Sequence, residues 1–267
     1  METLPEAIRR HIEGKPYRAD DIGCSKASVL LFDHMVLKIA KSDSNKERKI
    51  LTWLEGKLPA PRLIAFEQQN GFNYLLMSKI PGEMACSEKN MQNPEPAIRA
   101  LADGLKALWA VDTTGCPNSN TLEVTLASAR FNLENVLIDP KEIDEDRICT
   151  NGFRDMNDLF SFLDHNRPDE EIVFSHNDYC LPNVFLENGV FSGLVDLGDA
   201  GIGDKWQDIA LCVRSLEYNL VRLSKHSCSE YERYKALLFD ELGFAEDEDI
   251  IKYYILLDNF FYVYNRT

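Results

Sequence analysis

His176-Asn-Asp178-Tyr-Cys-Leu-Pro-Asn183, then Val184-Phe-Leu-Glu187, Asn188-Gly189, Val190-Phe-Ser-Gly-Leu-Val195 and Asp196-Leu-Gly198, is the stretch on which the reading of this chain turns. Asn-Gly between two short apolar runs predicts a two-residue hairpin, because both central residues of that turn need a positive φ. Closing the hairpin brings Asn183 and Asp196 to the same end of the strand pair, with Asp178 five residues earlier in the loop that enters it. An amide and a carboxylate side by side suit a hard cation. Mg2+ fits best, since it needs only one or two protein oxygens when phosphate and water supply the rest. Asp178 can then face a nucleophile. An Asp and an Asn in one loop are more often turn or capping residues; the hairpin and the third acid in register favour chemistry.

Upstream, Val29-Leu-Leu-Phe32 and Met35-Val-Leu-Lys-Ile39 flank Asp33-His34 and predict two antiparallel strands. A helical pattern follows from Asp43 to Gly56, with Ile50, Leu51 and Leu54 on one stripe and Asp43 or Ser44 as caps. Leu63-Ile-Ala-Phe66 and Phe72-Asn-Tyr-Leu-Leu-Met77 pair around Asn70-Gly71. In this sheet Lys38 is a charge on an apolar strand, and Glu47 falls at the start of the next helix. Singly, these read as a snorkelling lysine and a helix-terminus acid. In this order they match the Lys–Glu pair that holds nucleotide phosphates in kinases. Beyond Pro81-Gly82 the periodicity is helical: around Ile98–Leu108, then 121–137, 156–163, 204–223, 229–242 and 247–264, interrupted by Ile172-Val-Phe-Ser175 and one isolated hairpin. The expected architecture is α+β and bilobal, a β-rich lobe over 1–80 and a larger helical lobe over 81–267.

Composition narrows the partners. Twenty-nine Lys plus Arg against forty-four Asp plus Glu leave a formal charge of −15. That argues against nucleic acid or an anionic membrane as main partner and is compatible with a cationic ligand. Seven cysteines without a C-x-x-C pair, and five histidines without H-x-x-x-H, give no disulfide framework and no zinc site. No apolar run reaches the length of a membrane span, so a soluble, cytoplasmic protein is expected. There is no G-x-x-x-x-G-K-[ST] and no G-x-G-x-x-G after a strand, which excludes the P-loop and dinucleotide readings.

H-x-D-x-x-x-x-N, a hairpin and D-x-G is the arrangement of the kinase fold. Val173-Phe-Ser-His-Asn-Asp-Tyr-Cys-Leu-Pro-Asn183, Asp196-Leu-Gly198 and Asp204-Lys-Trp-Gln-Asp208-Ile-Ala-Leu-Cys-Val-Arg214-Ser resemble the aminoglycoside phosphotransferases, the 3′-O-phosphotransferases of kanamycin and neomycin resistance above all. Trp53-Leu-Glu-Gly-Lys-Leu-Pro-Ala-Pro61, Leu75-Leu-Met-Ser78 and Lys252-Tyr-Tyr-Ile-Leu-Leu-Asp258 support the likeness along nearly the whole chain. The resemblance implies a protein-kinase-like fold and Mg2+-dependent transfer of the γ-phosphoryl group of ATP or GTP to an aminoglycoside hydroxyl. It implies Asp178 as base, Asn183 and Asp196 as metal ligands, and Lys38 on the α- and β-phosphates, oriented by Glu47. His176 and Asp208 would be scaffolding. Ser25 and Ser28 would lie near the phosphates, Val36 and Met77 would wall the purine, and the segment around Ser78 and Ile80 would offer it main-chain hydrogen bonds. Asp155, Asp199, Tyr218, Asp258 and Asn259, with Asp178, are the expected acceptor-site residues, and the protein would be a monomer or weak dimer.

The departures from the family pattern gather around the acceptor. Residue 177 is Asn where relatives commonly have Gly, residue 199 is Asp where many have Arg, and Tyr218 and Asn259 stand where close relatives carry acids. Further residues follow Asp258, among them Phe260, Phe261, Tyr262 and Tyr264. Two alternatives stay open on the same fold: a kinase of choline, homoserine or methylthioribose type, and a nucleotide-binding protein without transfer activity. The joint presence of Lys38, Asp178, Asn183 and Asp196 weighs against the second.

Overall fold

The computed structural model describes residues 4–19, 27–41, 45–139, 148 and 151–262. A five-stranded antiparallel sheet comes first, in the order β1-β2-β3-β5-β4, from β1 (Arg18–Ala19), β2 (Ser28–Leu31), β3 (Met35–Ala40), β4 (Leu63–Gln69) and β5 (Phe72–Ser78). Its two faces divide by the strand period of two. Leu37, Tyr74 and Leu76 point to one side and pack with Ile8 and Ile12 of α1 (Glu6–Ile12). Leu75 and Met77 point to the other, where Ile50, Leu51 and Leu54 of α2 (Asn45–Leu54) and the larger core lie. Lys38 sits opposite Leu75, and Val36 opposite Met77, on that second face. The turns at Asn70-Gly71 and Asn188-Gly189 have positive φ at both residues, as a tight right-twisted hairpin needs.

Past Ser78 the chain enters β6 (Glu83–Met84), which pairs with β9 (Val184–Glu187); β9 pairs in turn with β10 (Val190–Leu194). The hairpin is therefore not isolated as its sequence suggests, but the body of a three-stranded sheet. A second small sheet joins β7 (Ser119–Asn120), β11 (Gly201–Asp204) and β8 (Ile172–Ser175). The remainder is helical: α3 (Glu88–Gln92), α4 (Glu95–Trp109), α5 (Leu122–Glu134), α6 (Met156–His165), α7 (Lys205–Glu217), α8 (Cys228–Leu242) and α9 (Glu248–Asp258). The pattern read over 204–223 resolves into β11, α7 and a widened turn, Tyr218–Leu223; that read from 247 stops at Asp258 with one 3-10 turn, Asn259–Phe261, after it. Among the described residues no helix is long and apolar enough to cross a membrane.

Gly82 makes the passage between the sheets possible. Its φ is +92°, and a Cβ there would lie 1.9 Å from the Leu186 carbonyl oxygen of β9. Two constraints coincide, a backbone region costly for L side chains and backbone-to-backbone contact. Gly82→Ala is expected to lower stability by about 2–4 kcal/mol, read as a lower urea midpoint with an unchanged slope. An unaltered midpoint would show that the passage relaxes freely.

Candidate active site

The loop after β8 is built around one buried acid. Asp208 in the first turn of α7 has no solvent exposure, and its Oδ2 and Oδ1 accept the backbone N–H groups of His176 (2.9 Å) and Asn177 (2.8 Å). Burial pushes its carboxyl up to about 6 against the opposing pull of His176 and of those backbone donors. The His176 ring is also buried; Nε2 meets the Val195 carbonyl oxygen at 2.9 Å, and Nδ1 accepts the Asp178 N–H at 3.3 Å. The imidazole thus ties the loop to the segment entering Asp196. Asn177 has φ +67°. The left-handed region admits Gly and, among other residues, Asn most readily, so the Asn at this position takes up the turn without undue strain.

Asp178 is exposed, and both its carboxylate oxygens are oriented. Oδ2 accepts the Asn183 side-chain N–H at 3.0 Å and Oδ1 the Cys180 thiol at 3.1 Å. Burial, with Asp178 beside it, raises the thiol above its ordinary range, so it stays a protonated donor. Asn183 ends the short turn Leu181–Asn183, and its main-chain oxygen accepts the Val195 N–H at 3.0 Å. That bond sets Asn183 against the residue before Asp196, the juxtaposition the hairpin predicts. Asp196 itself has φ +57°.

Lys38 closes the site from the first sheet. Its Nζ lies 3.0 Å from Glu47 Oε2 and 2.7 Å from Asp196 Oδ1. Burial would lower the ammonium's pKa, but Glu47 and Asp196 together raise it. Partial burial would raise Asp196, yet Lys38 holds it below the usual carboxylate range. Glu47 is buried and pushed upward by that burial despite Lys38. One cation shared by two acids leaves a net negative pocket, an electrostatic preference for further positive charge.

The structure places the remaining expected residues unevenly. Ser28 is exposed at the start of β2, and Ser25 lies outside the described residues. Met77 and Ile80 are buried. The Ser78 N–H donates to the Arg62 carbonyl oxygen at 2.9 Å, so it is held within the sheet. Asp199 and Tyr218 are exposed. Asp155 caps α6, accepting the Asp158 N–H at 2.9 Å. Asp258 forms an ion pair with Arg214, whose Nη1 also donates to the Tyr262 hydroxyl at 3.1 Å. Asn259 is buried and turns its amide onto the carbonyls of Ile255 and Leu256. Tyr264 lies outside the described residues. Sequence reasoning gave no role to Cys180, Arg214 or Ser215. The signal for Ser215 is its place seven residues after Asp208, two turns along one helix face.

A lysine–glutamate pair, a carboxylate and an amide at one hairpin end, and an exposed loop aspartate beside them define a phosphotransferase of protein-kinase-like fold. The chain belongs to the phosphotransferase enzyme family, whose profile matches residues 21–237. It is 37% identical to an aminoglycoside 3′-phosphotransferase of Enterococcus faecalis over 98% of this chain and 99% of that one. The crystal structure of an aminoglycoside 3′-phosphotransferase of type VIII superposes with a TM-score of 0.76 at 27% identity, covering 95% of this chain and 96% of that one. An aminoglycoside phosphotransferase of Streptomyces rimosus shares the fold with a TM-score of 0.78 at 21% identity over 95% and 96% of the two chains. Its complex with ADP and streptomycin gives 0.71.

Because the folded Asp208 carboxyl titrates near 6 and an unfolded one near 3.9, the native state binds more protons between those values. Stability is therefore expected to fall as pH rises from about 4 to 6, by on the order of 2–3 kcal/mol from this group. Asp208→Asn should flatten that segment of the stability–pH curve while impairing turnover. Parallel curves for the two proteins would remove Asp208 as the cause.

Proposed function

We propose that this chain transfers the γ-phosphoryl group of a nucleoside triphosphate to a hydroxyl, the 3′ hydroxyl, of an aminoglycoside antibiotic and so confers resistance. The observation that carries this reading is the end-to-end match to the Enterococcus faecalis 3′-phosphotransferase, and the gathered Lys38, Glu47, Asp178, Asn183 and Asp196 support it. Asp178 takes the proton of the attacking hydroxyl as its oxygen bonds to the γ-phosphorus; the bond to the bridging oxygen breaks, and the nucleoside diphosphate leaves. The carboxylate reaches this step with both oxygens already aimed by Asn183 and Cys180, so little reorganisation is needed. Lys38 presents an ammonium held by Glu47 to the α- and β-phosphates.

The donor set fits Mg2+: two hard oxygens, the Asn183 amide and the Asp196 carboxylate, at one hairpin end, without the nitrogen or sulfur ligands that softer metals prefer. When bound, the ion neutralises phosphate charge. Asn183 keeps its N–H groups on Asp178, the main-chain carbonyl at 2.9 Å and the carboxylate at 3.0 Å, which leaves its amide oxygen for the metal.

A polycationic acceptor suits a chain of charge −15 and a pocket with more acids than bases. Asp258, already paired with Arg214, is a weaker ammonium partner than its position suggests, so exposed Asp199 and Asp178 carry more of that contact.

Mass spectrometry of aminoglycosides incubated with the enzyme, Mg2+ and ATP or GTP should show a single added phosphoryl group on 3′-hydroxy compounds and none on 3′-deoxy analogues. Modification of choline, homoserine or methylthioribose instead would move the enzyme to another branch of the fold. Asp178→Ala should cut kcat by roughly two to four orders of magnitude with nucleotide binding nearly intact. Near-normal turnover would displace Asp178 as the base.

A further inference from the structure

The loop that carries Asp178 and Asn183 has two anchors on α7, and only Asp208 is accounted for above. The Leu181 N–H, between Asp178 and Asn183, donates to the Ser215 hydroxyl oxygen at 3.0 Å, a buried bond. Asn219 holds that serine in turn: its side-chain N–H lies 2.7 Å from the Ser215 carbonyl oxygen and 3.4 Å from Oγ. Ser215 and Asn219 are both buried. Asn219 lies in the widened turn Tyr218–Leu223, where the Ser224 N–H reaches back five residues to the Asn219 carbonyl oxygen. Such i→i+5 turns often occur at functional sites, because they re-aim one side chain within a helix.

We propose that Ser215, oriented by Asn219, is a positioning residue that fixes the distance between Asp178 and Asn183; the proposal rests on the base and metal-ligand roles given to those two. Asp208 and Ser215 are seven residues apart on one helix face, an axial rise of about 10.5 Å that a helix holds rigidly. Asp208 grips the amides of residues 176 and 177, just before Asp178; Ser215 grips the amide of residue 181, just before Asn183. The base and the metal ligand thus each follow closely on one of two clamps carried by a single rod. A buried serine in a helix commonly bonds a carbonyl of its own preceding turn. That back-bond uses the hydroxyl proton; here the hydroxyl oxygen accepts from another element, and the Asn219 amide lies against it.

The test compares Ser215→Ala, Ser215→Thr and Asn219→Ala with the parent, each assayed well below its melting temperature. Ser215→Ala leaves the Leu181 N–H without its acceptor. It should lower kcat roughly 10- to 100-fold, the scale of a misplacement near 1 Å. Metal-free nucleotide affinity by calorimetry should stay within about twofold, and the Mg2+ concentration for half-maximal rate should rise severalfold. Ser215→Thr keeps the oxygen and should recover most of the rate. Asn219→Ala, which leaves the hydroxyl present but loosely aimed, should give the same split with a smaller fall in kcat. A lower melting temperature with kcat and Mg2+ dependence unchanged in Ser215→Ala would overturn the proposal, as would a threonine variant no better than alanine. Should the Ser215 variants not fold, unchanged kcat and Mg2+ dependence in Asn219→Ala overturns it alone. Asp178→Ala, run alongside, separates the two ideas: full activity there refutes the base assignment and leaves the Ser215 split to be read by itself.

Discussion

A carboxylate cut off from solvent has to find its donors inside the protein, and Asp208 finds them in the backbone of the loop after β8. Asp208 pulls the amides of His176 and Asn177 toward α7, and the chain turns through the left-handed conformation at Asn177. From there the His176 ring can reach the Val195 carbonyl, and Asp178 emerges facing outward. The desolvation that makes Asp208 hard to ionise also makes its bonds to those amides strong, because no water competes for them. Tyr179, fully buried, adds a further fastening by donating to the Leu101 carbonyl of α4 at 2.8 Å.

Across the cleft a different balance operates. Lys38 is the only cation that the described hydrogen bonds place between Glu47 and Asp196, and it serves both. Removing it would leave two acids facing one another with Asp199 close by, so the lysine stabilises the arrangement before any phosphate arrives. Its two partners differ in exposure. Glu47 is buried in the first turn of α2, whereas Asp196 is half-exposed on the segment after β10. The ammonium thus meets one acid inside the protein and the other at its surface.

Much of this was legible in the sequence, for reasons that can be named. The hairpin followed from Asn188-Gly189, and with it the meeting of Asn183 and Asp196. Lys38 was visible because a charge on an apolar strand stands out, and Glu47 because the next helix begins beside it. The α1 helix was missed: seven residues with two buried apolar positions, Ile8 and Ile12, show too little period to register. Strands β6, β7 and β11 are two to four residues long and pair with distant segments, so their formation is decided by partners and not by their own alternation. Asp155 and Asn259 are polar residues whose groups the local backbone claims first, as a helix cap and against helix carbonyls. Residue type alone could not distinguish that use from ligand binding.

The pairing of Glu83–Met84 with β9 bears on how the cleft can open. A connector stitched into the sheet that carries Asn183 cannot act as a loose tether. Glu83 and Met84 travel with the hairpin, and the first lobe is tied to the same hairpin a second time, where the Leu194 N–H donates to the Pro59 carbonyl oxygen at 3.0 Å. Any parting of the first sheet from this hairpin has to lengthen the 2.7 Å contact of Lys38 with Asp196, whereas Asp178 and Asn183 are bonded to each other within one loop. The separation of Lys38 from Asp196 is then the natural coordinate along which any opening between the two is measured.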